Sequence, residues 1–195
     1  MRWDSLFDDL ESQLERELTA EELDLEREDE RLRLARLGMR DRLLAAGGNA
    51  VVLHLGVGHH RVRIADVGRD WAAVDAEGPP AWSGIVPLGS VDSVGMPAVL
   101  ARSTLGGGPL ADGGGSGQPS LTERLGLGFV LRDLARRRRF VRIETASGML
   151  AGTIDRVGRD HLDLAVHPPD APRRESAVSE VRLIPLEQVQ LVRLA

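Results

Sequence analysis

Hydrophobic and polar positions along this 195-residue chain alternate between a helical period and a period of two. Residues 3–17 set Trp3, Leu6, Phe7, Leu10 and Leu14 at three- and four-residue steps, one stripe of a short helix. Thr19 and Glu22 then have capping-box spacing, and Leu18 with Leu23 has staple spacing, so a second helix is predicted from near residue 20. It runs to about Ala46, where Gly47-Gly48 offers a left-handed stop, and the two helices are expected to form a hairpin. From Ala50 the pattern alternates. VVLHL, RVRIADV, WAAV, IVPL and VDSV read as short strands separated by Gly and Pro punctuation. Residues 97–119 read as a Gly-rich linker. Ser120 and Glu123 repeat the capping-box spacing, and Leu127, Val130, Leu131 and Leu134 predict a helix that ends in Arg136 to Arg139. FVRIETA, MLAGTIDRV, HLDLAV, EVRLIP and VQLVRL then read as five more strands.

The two alternating regions are related. VGRDW at 67–71 returns as VGRDH at 157–161. The same offset sets Val51 on Val141, Leu53 on Ile143, Gly58 on Gly148 and Ile64 on Ile154. IVPLGSVDSV at 85–94 matches LIPLEQVQLV at 183–192, and the extra residues between the matched blocks fall in one loop, 167–182. One loop-length change between matched blocks is how a duplicated module looks. In each copy Val-Gly-Arg-Asp falls between two strands. There it reads as turn chemistry, with Gly free to take positive φ and Asp able to bond nearby amides.

A helix followed by five short strands resembles the Sm-like small barrel, the fold of Sm, LSm and Hfq proteins. FVRIETASGMLAGTIDRVGRDHLDLAV is similar to the first motif of that family and RLIPLEQVQLV to the second. The resemblance implies an α+β chain: an N-terminal helical hairpin, then two Sm-like (SH3-like) small β-barrels, the second preceded by its own helix. The corresponding divisions are an acidic hairpin over 1–46, a first barrel over 47–96, a linker over 97–119, and a helix with the second barrel over 120–195. Rings formed by edge-strand pairing would also follow, with VQLVRLA as a free edge and the chain as a homo-oligomer. The family's nucleotide pocket does not carry over. Asp163 and Ala73 stand where the base-contacting Asn belongs, and Pro185-Leu186 and Pro87-Leu88 replace the Arg-Gly of the second motif.

Composition narrows the function. Aromatics are 3% with no Tyr, and all 25 basic residues are Arg, which reads as the codon usage of a GC-rich genome. With no Cys, disulfides and thiolate metal sites are excluded. MRWDSLFDDLESQLE is unlike a signal peptide, and no apolar run has the roughly 20 residues of a membrane span, so a cytoplasmic protein without membrane partners is expected. Charge is segregated: residues 1–46 carry 14 acids against 8 Arg, whereas 119–195 carry 10 acids against 13 Arg. No catalytic or metal constellation emerges. His54, His59 and His60 read as an exposed hairpin group, and His161 and His167 as surface residues. A non-enzymatic role without cofactor is therefore expected.

The strongest polar feature is Arg136, Arg137, Arg138 and Arg139 with Arg142 beyond, joined by Arg173 and Arg174 of the long loop. These cations suit a phosphate-binding face for RNA or DNA in a regulatory role. Phe129 and Phe140 read as core, leaving Trp82 as the exposed aromatic. The alternative is a scaffold that binds a protein partner through residues 1–46 and oligomerises through strand edges.

Overall fold

The computed structural model describes residues 22–56, 58–106, 121–169 and 178–194. The helix expected over 3–17, most of the Gly-rich segment, and Arg173 with Arg174 lie outside the described residues. The chain divides into two compact units, Met1–Gly38 and Met39–Ala195. In the first, residues 22–36 form helix α1, exposed along its whole length. Ion pairs one turn apart run along it, Arg27 to Asp24 and Arg33 to Glu30 among them. Such exposed, solvent-screened pairs contribute little to stability, as on any solvated helix.

In the second unit, helix α2 (Met39–Ala45) precedes strands β1 (Ala50–Leu55), β2 (Gly58–Val67), β3 (Trp71–Ala76), β4 (Ser83–Pro87) and β5 (Val91–Gly95). After the short helices α3 (Ala98–Ser103) and α4 (Leu121–Arg124), helix α5 (Leu127–Arg136) leads into β6 (Phe140–Thr145), β7 (Gly148–Val157), β8 (His161–Val166), β9 (Glu180–Pro185) and β10 (Val189–Leu194). All ten strands that the alternation predicts are present.

The duplication is visible in the geometry. Five strands in each half follow the same order, β5-β1-β2-β3-β4 and β10-β6-β7-β8-β9. Both second strands slip register at the same place, between Ile64 and Asp66 and between Ile154 and Arg156. A 3-10 turn joins the last two strands of each half, Leu88–Ser90 and Leu186–Gln188. The Val-Gly-Arg-Asp turns also match. The Gly68 amide donates to the Trp71 carbonyl and the Gly158 amide to the His161 carbonyl, both at 2.8 Å. Neither glycine has positive φ, contrary to the sequence expectation. Each is required because the ring three residues on, Trp71 or His161, folds over it where a Cβ would stand.

The larger expectation fails. Two separate small barrels do not form, and the helix expected from near residue 20 to Ala46 is broken at Leu37 and Gly38. Instead the ten strands make one antiparallel open sheet, because β4 pairs with β10 and fuses the halves. VQLVRL is accordingly no free edge: β10 lies inside the sheet, hydrogen-bonded to β4 and β6. The sheet ends on β5 and β9.

Core packing explains why the halves do not stand alone. One cluster gathers Leu43, Val51, Leu53, Val62, Ile64, Val74 and Val86, yet it includes Leu191 of β10. The other gathers Leu131, Val141, Ile143, Ile154, Leu162, Leu164 and Val192, yet it includes Trp71 and Ile85 of the first half. Neighbours on one strand thus face different cores: Ile85 and Val86 on β4, Leu191 and Val192 on β10. Strands buried on both faces need uninterrupted apolar runs, and IVPL and LV supply them.

Gly84 sets the closeness of the seam, since a Cβ there would stand 2.8 Å from the Val192 carbonyl oxygen and 3.1 Å from Leu191 and Trp82. Gly84→Val should therefore lower stability by about 1–3 kcal/mol, the usual cost of overpacking, read as a lower urea midpoint. Wild-type unfolding followed by Trp fluorescence and far-UV circular dichroism should be one transition; two separated transitions would contradict interlocked cores.

Candidate functional site

The arginine run sits where helix α5 stops. Arg136 closes the helix, and Arg138 takes the left-handed conformation (φ 51°) that turns the chain into β6, the part Gly48 plays (φ 75°) after α2. Arg136 and Arg137 both grip the Asp133 carboxylate, at 2.5 and 2.6 Å. Their hydrogen bonds hold that carboxyl below its ordinary value. Arg138 shares a small cleft of about 190 Å³ with Asp155 and Arg156. Arg142 is exposed on β6 and lies opposite Arg193 of β10. The structure thus gathers Arg136 to Arg139 at one helix end, with part of their charge answered by Asp133.

Two aromatic expectations are reversed. Phe129 is not core but 56% exposed, on the helix face it shares with Arg132 and Arg136. Trp82 is not a free loop residue: the Arg193 guanidinium lies 4.7 Å above its ring and His60 meets it edge-on. His54 and His59 are exposed on the hairpin and His161 lies at the surface, as expected, but His167 and His60 differ. His167 is buried, 2.8 Å from the Thr153 hydroxyl and 2.9 Å from the Pro168 carbonyl. His54 pairs across the hairpin with His59, and His60 faces the seam. Among the described residues, no group of three or more His, Asp or Glu gathers as a metal site.

The seam carries a polar cluster that local sequence reasoning missed. Glu144 of β6 and Arg193 of β10, from the second half, form a half-buried ion pair at 2.5 Å. His60 of β2, from the first half, sets its Nε2 3.7 Å from the same carboxylate. Burial pushes the His60 imidazole down from its ordinary value; Glu144 opposes this, while Arg193 and His59 add to it. The cluster bridges the halves.

A third feature comes from comparing the outer faces of the two halves. In the first half, Trp71 and Ile85 are only 5% and 4% exposed, because they lie in the second half's core. At the equivalent positions in the second half, His161 is 43% exposed in its side chain and Leu183 is 68% exposed. Asp160, His161, Leu183, Pro185 and Glu187 line an open cleft of about 440 Å³ there. The Asp160 carboxylate bonds the His161 ring at 2.8 Å, which holds that acid below its ordinary value.

No family model, curated protein or solved structure matches the chain. Among the described residues, no helix is long and apolar enough to cross a membrane.

The seam cluster generates a pH dependence. His60 is depressed in the folded chain, so between its folded value and the ordinary 6.5 the unfolded chain holds more protons. Stability contributed by neutral His60 is present above that window and lost as pH falls through it. The urea midpoint should drop from about pH 7.5 to about pH 5.5, the range in which an unperturbed imidazole titrates. His60→Gln should flatten that drop; an unchanged slope would remove His60 from the account.

Proposed function

We propose that this chain is a non-enzymatic assembly protein whose copies associate through the ends of its sheet. One observation carries the reading: the same module already joins edge to edge within the chain, β4 to β10. Their counterparts by duplication, β9 and β5, are the two terminal strands. An exposed edge presents a row of backbone donors and acceptors ready to pair with another strand. The internal seam sets Val192 opposite Ile85 and Arg193 opposite Gly84. Carried over by the repeat, that register sets Val94 of one copy opposite Leu183 of the next, and Gly95 opposite Arg182. Because β5 and β9 are different surfaces, the contact is head-to-tail; it closes into a ring or extends as a fibre according to the rotation between copies.

Static light scattering over a concentration series tests this. The wild-type mass should rise above that of one chain, and Val181→Lys with Leu183→Lys should restore the monomer. A monomer at every concentration would overturn the proposal.

The exposed Phe129 favours a second reading, single-stranded nucleic acid held on α5. Phe129, Arg132 and Arg136 combine a stacking ring with cations on one face. Filter binding to short RNAs at two salt concentrations should then show affinity that falls with salt and with Phe129→Ala or Arg136→Ala. Binding indifferent to both substitutions would remove this reading.

A further inference from the structure

The cleft beside Asp160 has an occupied twin. In the first half, Asp70 and Trp71 stand at the positions of Asp160 and His161, and residues 125–127 fill the place. The Asp70 carboxylate accepts the Leu127 amide at 2.6 Å. The Trp71 indole and the Arg69 amide both donate to the Leu125 carbonyl, at 3.0 Å. Gly126 passes so close that a Cβ would lie 2.5 Å from the Arg69 guanidinium. Leu127 is buried there with Trp71 and Ile85.

The second half keeps the frame of this place. The Leu186 amide donates to the Asp160 carbonyl at 2.7 Å as the Leu88 amide does to Asp70 at 2.9 Å. Among the described residues, however, Leu183 remains largely exposed where Ile85 is covered.

A segment matching the occupant exists elsewhere in the chain. Arg124-Leu125-Gly126-Leu127 is echoed by Arg36-Leu37-Gly38-Met39. Both interrupt a helix for two residues, Leu-Gly, before another helix begins. The Leu37 amide bonds the Leu34 carbonyl at 3.2 Å, and the Leu125 amide bonds Thr122 at 3.0 Å. Each stretch leads into the helix that packs on the second strand of its own half, α2 on β2 and α5 on β7. Met39, the counterpart of buried Leu127, is 40% exposed.

We infer that the cleft lined by Asp160, His161, Leu183 and Pro185 is the docking site for residues 36–39 of a second copy of this chain. Asp160 accepts the Met39 amide, the Arg159 amide and the His161 ring donate to the Leu37 carbonyl, and Met39 covers Leu183. Gly38 passes the turn where a side chain would be in the way. Arg36 arrives beside Glu187, a carboxylate of the cleft where the first half has Gly89. The segment comes from another copy because α2 belongs to the half ending in β5, whereas the cleft lies by β9 at the opposite edge of the sheet. This inference rests on the edge-to-edge reading and supplies its specificity: β5 brings the strand and residues 36–39 bring the key.

The absence of native Cys makes crosslinking a clean test. Met39→Cys and Leu183→Cys are made as separate variants, mixed and oxidised; Gly95→Cys and Arg182→Cys form a second pair that reports the strand edges alone. Both mixtures should give covalent heterodimers, and adding Asp160→Ala to the Leu183→Cys chain should cut the yield of the first pair several-fold. Heterodimers from the edge pair without the cleft pair, or a cleft yield indifferent to Asp160→Ala, would overturn the docking site and leave the edge reading standing. Failure of both pairs, with monomeric scattering, would overturn both. Met39, Leu183 and Asp160 are exposed, so folding of these variants, checked by circular dichroism, is not at risk.

Discussion

The pairing of β4 with β10 is the constraint on which the rest of this structure depends. Three registered residue pairs, Val192 with Ile85, Arg193 with Gly84 and Leu194 with Ser83, turn two five-stranded modules into one sheet. Side chains follow the backbone. With the strands in register, Leu191 reaches the first core, and Trp71 and Ile85 enter the second. Fully burying side chains of this size is worth roughly 1.5–3 kcal/mol each, so the seam is an apolar contact as much as a hydrogen-bonded one. Glu144, Arg193, His60 and Trp82 close its polar side.

Duplication gave two modules with the same strand order and different outer faces. The first carries Trp71, Ala73 and Ile85 on that face, an apolar set that α5 and the second core cover permanently. The second carries His161, Asp163 and Leu183 at the same positions, two of them polar. A face left open to water is better mixed than uniformly apolar, since large exposed apolar patches drive nonspecific association. On the proposed edge-to-edge reading, the divergence suits a fixed joint at one end and a reversible joint at the other. Asp70 and Asp160 show the same division. One carboxylate is committed to the Leu127 amide, the other to its neighbour His161.

Local signals in this sequence are legible and nonlocal ones are not. All ten strands, the helix carrying Leu127, Leu131 and Leu134, and the copied turn follow from periodicity and turn residues, which act over a few positions. The seam joins residues more than a hundred apart, and alternation says nothing about which strand a free edge will choose; VQLVRL therefore reads as an edge although it is interior. A hint existed in IVPL and LV, continuous apolar runs that mean burial on both faces. Phe129 misled because an aromatic near a helical stripe reads as core, although its face also carries Arg132 and Arg136. His60 was illegible as a seam residue because Glu144 and Arg193 reach it only through the fused sheet. Arg136 to Arg139 were visible as a cluster, but their tie to Asp133 and the left-handed Arg138 are conformational facts.

Hydrogen exchange on the wild-type chain tests the central claim most directly, because amides in a strand that opens only when the whole domain unfolds share the protection of the deepest core. If the seam fuses the halves, amides of residues 83–85 and 192–194 that bond across it should exchange as slowly as those pairing β1 with β2 and β6 with β7. Exchange at the seam that is orders of magnitude faster than within either half would mean two modules merely touching, and the account would fail.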